Sequence, residues 1–161
     1  MHTLKDLDQY LSEAHADFQM IKQDKPIHAA QDAKGYYDIE KAAPVFILEN
    51  ENGLLACIIS ISRGRLDFEA MKRQFCFSKL KMADRRKVEK QIGYNVGAIP
   101  LIGHALPCIF DDSLLKYDYI YGGTGDELVT LKIKPQDVKR LIMLYSLIMF
   151  NRTELSSLQK I

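Results

Sequence analysis

The chain has 161 residues, of which 47% are hydrophobic and 27% charged, with a formal net charge of +1. That length and balance describe one folded domain with enough chain for a proper core, and exclude a disordered or low-complexity polypeptide. The charge is uneven: from Arg63 to Lys90 ten Lys/Arg stand against four Asp/Glu, a local net of +6, leaving −5 in the remainder. A basic stretch of this kind is what a phosphate-bearing partner would favour, and also what two solvated helix faces would produce.

The opening Met1-His2-Thr3-Leu4-Lys5-Asp6 lacks the apolar run of a signal peptide. Thr3 is expected to cap a helix reaching about Ala14, in which Leu4, Leu7, Leu11 and Ala14 recur at helical spacing. Phe18–Ile21 reads as a short strand. Pro26 to Gly35 reads as a short helix with Gly35 at its C-cap. Pro44–Glu49 is a strand, Asn50-Glu51-Asn52-Gly53 carries an Asn-Gly hairpin signal, and Leu54–Ile61 follows with seven apolar residues in eight. A strand apolar on both faces belongs in the centre of a sheet.

Asp67 caps the next predicted helix, whose buried stripe is Phe68, Met71 and Phe75. Ser78–Met82 reads as a strand. Asp84 then caps a helix that turns Val88 and Ile92 inward and Arg85, Arg86, Lys87 and Lys90 largely outward, with Gly93 as its stop. That helix delivers the chain into Gly93-Tyr94-Asn95-Val96-Gly97-Ala98-Ile99-Pro100-Leu101-Ile102-Gly103. Three glycines and a proline fall in eleven positions, with apolar residues between them. Such a loop can present bare peptide groups to a ligand; it can equally be a buried turn.

Leu106–Phe110 reads as a strand, Asp111-Asp112-Ser113 as a turn, and Tyr117–Tyr121 as a strand broken by Gly122-Gly123-Thr124-Gly125. This second glycine cluster lacks the lysine and spacing of a P-loop, and a plain hairpin turn accounts for it. Glu127–Ile133 alternates as a strand does. Pro135 opens a last helix carrying Val138, Leu141, Ile142, Tyr145 and Ile148, whose apolar face widens towards Phe150 and would suit a homodimer contact. The longest apolar segment, Leu141–Phe150, is too short to span a bilayer. With six or seven strands and four or five helices, and hairpins mixed with crossovers, the pattern points to a single α+β domain with a mixed sheet, not a doubly wound Rossmann fold.

Cys57, Cys76 and Cys108 form no CxxC pair and read as buried reduced thiols of a cytoplasmic protein. His2, His15, His28 and His104 share no metal-ligand spacing, so no metal is expected. No HExxH, GxSxG, Ser-His-Asp order or paired-carboxylate motif is present, and neighbours such as Asp111 and Asp112 point oppositely in a strand. What remains is a site made mainly of main-chain amides and carbonyls near a basic surface, able to orient a water and an ester carbonyl.

The order of features resembles the YbaK/prolyl-tRNA-synthetase-associated domain family. The resemblance rests on Val45-Phe46-Ile47-Leu48, the apolar strand Leu55–Ile61, Leu80-Lys81-Met82-Ala83-Asp84 and Gly93-Tyr94-x-x-Gly97-Ala98-Ile99-Pro100. It continues through Ile109-Phe110-Asp111-Asp112-Ser113-Leu114-Leu115, Gly123-x-Gly125 and the closing Pro135-Gln-Asp-Val, covering about residues 5 to 142. Residues 143–161 are then a C-terminal helical extension. The resemblance implies an α+β domain with a mixed, curved sheet flanked by helices. It also implies hydrolysis of the ester between a wrong amino acid and tRNA, in trans, without a cofactor.

By that resemblance Gly97, Ala98, Ile99 and Pro100 bind the aminoacyl group and terminal adenosine through backbone groups, with Gly123, Gly125 and Asp111 nearby. His28 and Tyr36 could line the same pocket, and Arg85, Arg86, Lys87 and Lys90 could contact the tRNA. The implied partners are mischarged tRNA and an aminoacyl-tRNA synthetase. One departure stands out. The family's functional lysine, on entering the first core strand, falls here on Ala43. Lys41 lies two residues earlier, on the same side if the segment is extended and about 6.6 Å back along a strand. Either its long side chain covers that gap, or the protein binds an aminoacyl or nucleotide group without cleaving it.

Overall fold

The computed structural model describes residues 3–144. Helix α1 (Leu4–Glu13) starts where Thr3 Oγ1 accepts the Asp6 N–H at 3.0 Å, and it buries Leu7 and Leu11. Strands follow at β1 (Phe18–Lys22), β2 (Val45–Asn50) and β3 (Gly53–Ile58). Next come α2 (Phe68–Phe75), β4 (Leu80–Met82), α3 (Arg85–Ile92) and β5 (Pro107–Phe110). The chain continues with β6 (Ile120–Gly123), β7 (Val129–Ile133), α4 (Pro135–Leu141) and β8 (Met143–Leu144). This is an α+β domain.

The strands form two open sheets rather than one. A three-stranded antiparallel sheet has the order β1-β7-β6, and a five-stranded mixed sheet has the order β4-β2-β3-β5-β8. They are tied where Ala42 bridges Tyr121 and the Ala43 N–H donates to the Tyr121 carbonyl at 2.8 Å. As its composition requires, β3 is central. Its Leu54, Ala56 and Ile58 enter the core shared with α1, α3 and α4. Its Leu55 and Cys57 face a second core, against Phe68, Met71 and Phe75 of α2.

The helix caps fall where the sequence puts them. Asp67 accepts the Ala70 N–H and Asp84 the Lys87 N–H, and Gly93 ends α3 at φ 78°. Four local expectations are corrected. Pro26–Gly35 holds only one 3-10 turn, Ala30–Ala33, because the backbone before it bonds elsewhere: Ile27 N–H reaches the Glu127 carbonyl at 3.0 Å, and the His28 and Ala29 N–H groups go to the Asp32 side chain. The β2–β3 turn is made by Glu51 and Asn52, with Gly53 already paired to Asn50, whose Oδ1 accepts the Asn52 N–H. Cys76 is exposed at the left-handed C-cap of α2, whereas Cys57 and Cys108 are buried and burial pushes both thiols up to about 12.

The last correction is at the C-terminal end. Helix α4 stops at Leu141, Ile142 is extended, and β8 pairs parallel with Pro107 and Cys108, satisfying the free edge of β5. Tyr145, Ile148 and the suggested dimer face lie outside the described residues. No helix among the described residues is long and apolar enough to cross a membrane.

Candidate functional site

A cavity of about 690 Å³ opens where the two sheets meet. One wall is Ala42–Ile47, leading into β2; the opposite wall is Tyr121–Gly123 of β6. The segment Asn95–Ile99 closes one side, α3 contributes Arg85, Val88 and Glu89, and His28, Asp126 and Glu127 stand at the polar side. Most of the remaining lining is apolar. Ile61, Met82 and Val96, all exposed large hydrophobic residues, also belong to it.

The central loop is shaped by short-range geometry. Asn95 precedes a 3-10 turn, Val96–Ala98, in which the Ala98 N–H donates to the Asn95 carbonyl at 2.9 Å. Beyond it Ile99, Leu101 and Ile102 are buried, and Leu101 N–H donates to the Gly123 carbonyl at 3.0 Å. The loop therefore lies flat on β6, which explains the second glycine cluster. A Cβ on Gly123 would overlap the Ile99 carbonyl oxygen, and one on Gly122 would lie 2.5 Å from Leu101 Cδ1. Gly122 and Gly123 are thus strand residues under a covering loop, not the hairpin turn expected from spacing. Only Gly125, at φ +94°, sits past the strand, against the Tyr94 ring.

Of the residues the sequence singles out, the structure gathers His28, Gly97, Ala98, Ile99, Gly123 and Arg85 around this cavity. Pro100 is buried just behind it and Gly125 just beyond β6. Tyr36 turns away, its hydroxyl donating to Asp24, while its neighbour Tyr37 takes the cavity wall. Lys41 is half-buried as the last residue of a 3-10 turn, Ile39–Lys41, and the chain is extended only from Ala42 on; Ala42 and Ala43 form the wall, which Lys41 does not join.

Asp111 is held elsewhere. Its carboxylate accepts Arg63 Nε at 2.6 Å, an Arg63 terminal nitrogen at 2.7 Å, and the Ser60 and Ser113 N–H groups at 3.0 Å each. Burial pushes this carboxyl up, but Arg63 and the two N–H groups outweigh it and hold it well below the usual carboxylate range. On the basic helix Lys87 pairs with Glu49, and Arg85 Nε lies 3.7 Å from Glu89 Oε1. Arg86 and Lys90 are exposed, with no ion pair among the described residues.

Two features of the cavity have no local signal in the sequence. Tyr37 and Tyr121 stack with ring centroids 4.4 Å apart and planes 5° from parallel, and burial pushes the Tyr37 hydroxyl up to about 12. Glu127 meets His28, ninety-nine positions away, in a carboxylate–imidazole pair. Only tertiary contact brings either pair together. Among the described residues no three His, Cys, Asp or Glu side chains gather as a metal ion would need.

Similarity to known proteins covers the same elements. A family model described as an aminoacyl-tRNA editing domain matches residues 24–141. Among solved structures, a hypothetical protein superposes with a TM-score of 0.74 at 19% identity, covering 84% of this chain and 95% of that one. A candidate trans-editing enzyme for prolyl-tRNA synthetase gives 0.73 at 19%, covering 87% and 91%. A candidate signal-transduction protein from Marinobacter aquaeolei VT8 gives 0.60 at 18%, covering 86% of this chain but 29% of that longer one. At such identities the structural likenesses carry the fold alone. The family match spans the cavity and both glycine clusters, and on it this chain belongs to the aminoacyl-tRNA editing domain family.

Proposed function

We propose that this protein hydrolyses, in trans, the ester of a mischarged aminoacyl-tRNA. The observation that carries the reading is the cavity beside Gly97–Ile99 in a chain of the editing-domain family. The acyl-adenosine end of the tRNA occupies the cavity, with Ile99 and Gly123 lining its seat and Pro100 and Gly125 supporting them from outside it. In the Gly97–Ala98 turn the Ala98 N–H is given to the Asn95 carbonyl, so the Gly97 main chain faces the ester, where a dipole fixed in advance needs no reorganisation as charge develops on the carbonyl oxygen. Lys41, just outside the Ala42–Ala43 wall, holds a phosphate or the terminal ribose. The partners are the tRNA and the synthetase that mischarges it, and the work is cytoplasmic.

A second reading is favoured by one observation: Ala43, only 1% exposed, lines the cavity where the resemblance would put a lysine. The protein would then bind the acyl-adenosine end without cleaving it. Incubating micromolar protein with a panel of tRNAs, each bearing a labelled wrong amino acid, separates the two. Release of label from at least one is expected. An intact panel with salt-sensitive tRNA binding would establish the second reading instead. For an active protein, Lys41→Ala should collapse the rate with binding retained; no change in either makes Lys41 a bystander.

A further inference from the structure

We propose that His28 accepts the proton of the hydrolytic water and that Glu127 is the positioning residue that holds its ring for the step. The proposal rests on the deacylase reading and adds a side-chain base to a site otherwise built from backbone.

Several independent contacts hold this pair in place. The Gln23–Ile27 segment is fastened to Glu127 and Leu128: Gln23 N–H donates to the Leu128 carbonyl at 2.9 Å, and Ile27 N–H and Gln23 Nε2 donate to the Glu127 carbonyl at 3.0 and 2.8 Å. Asp32 Oδ2 accepts the N–H groups of His28 and Ala29, each at 3.2 Å. The ring rests beside the central loop, so a Cβ on Gly97 would lie 3.3 Å from His28 Cδ2. Finally, Nε2 meets a Glu127 carboxylate oxygen. The imidazole is thus held through its backbone, its edge and one ring nitrogen, at the wall of the cavity.

A carboxylate at Nε2 keeps the ring proton there and leaves the Nδ1 lone pair as the acceptor. Nδ1 has no partner among the described residues. The charged groups on this side of the cavity are Asp32 beneath the His28 backbone, Asp126 next to Glu127, and Glu89 and Arg85 from α3.

In the step, a water oxygen lone pair forms a bond to the ester carbonyl carbon, the carbonyl π electrons move onto its oxygen, and a water proton passes to Nδ1. On collapse the bond from that carbon to the ribose oxygen breaks, and the Nδ1 proton passes to the departing ribose oxygen. The products are free amino acid and uncharged tRNA.

The test uses a mischarged tRNA that the wild-type protein hydrolyses. His28→Gln should lower kcat about 100-fold or more, with KM within about threefold, and erase the acid limb of the pH–rate profile. Glu127→Gln, whose amide oxygen still accepts from Nε2, should retain more activity than Glu127→Ala. The side chains are 54% and 46% exposed, so the variants should melt with the wild type. A His28→Gln variant with an unchanged rate, an intact acid limb or a defect confined to KM overturns the base and leaves the deacylase reading standing. A wild-type protein that cleaves nothing in the panel ends both.

Discussion

His104 and Asp111 both shape the acid side of the pH dependence of stability, in successive windows. His104 is buried, its Nδ1 accepts the Leu106 N–H at 3.0 Å, and burial lowers its pKa to about 4. An unfolded imidazole titrates near pH 6.5, so between those values the unfolded chain binds a proton that the native one does not. Stability should therefore fall as pH drops through that window, by up to about 1.4 kcal/mol per pH unit. Urea midpoints measured from pH 7 to 4.5 should show this slope, and His104→Gln should flatten it. Asp111 acts lower. Its folded pKa lies beneath the unfolded value, so its contribution is complete above about pH 4 and lost as pH falls further. Asp111→Asn should cost about 2–3 kcal/mol at pH 7 and remove that acid-side slope. Neither group titrates usefully near neutrality.

At the scale of elements, the seat of the central loop on β6 gives a sharp contrast between two glycines. Gly123→Ala forces a methyl into the Ile99 carbonyl, which backbone alone can relieve. It should cost about 2 kcal/mol or more and lower the unfolding temperature by about 5 °C. Gly97→Ala meets only the His28 ring, at 3.3 Å, which can rotate aside. Its stability should stay within about 1 kcal/mol of wild type, while deacylation falls because the ring is displaced. Differential scanning calorimetry with a deacylation assay distinguishes the two outcomes.

Much at this scale is legible from local pattern. Thr3, Asp67, Asp84 and Gly93 cap helices because capping uses neighbouring backbone alone. The same reasoning fails for Gly122 and Gly123, since what excludes a side chain there is Leu101 and Ile99 of a loop much earlier in the chain. It fails for Pro26–Gly35 as well, because Ile27 N–H is bonded to Glu127 and the His28 and Ala29 N–H groups to the Asp32 side chain, which leaves room for only one 3-10 turn.

For the whole molecule, the basic segment divides once it is folded. Lys87 and Lys81 are engaged by Glu49, and Arg85 lies near Glu89, whereas Arg86 and Lys90 extend from α3 unpaired among the described residues. If α3 is the tRNA contact, Arg86→Ala with Lys90→Ala should weaken tRNA binding and lower the slope of log K against log salt by about 2, about one per charge removed. Filter binding at several salt concentrations measures this, and kcat at saturating tRNA should hold. An unchanged salt slope would remove α3 from the tRNA-binding surface.

The sequence by itself determined the class of fold, the central place of the doubly apolar strand and the glycine-punctuated loop, because periodicity, capping and backbone freedom act over a few residues. It also carried the family, through the order of motifs along the chain. Only the tertiary structure decided that the strands divide into two sheets, that Ala42–Ala43 rather than Lys41 walls the cavity, and that Glu127 meets His28. Those outcomes depend on which distant segments pair, and no local spacing encodes that pairing.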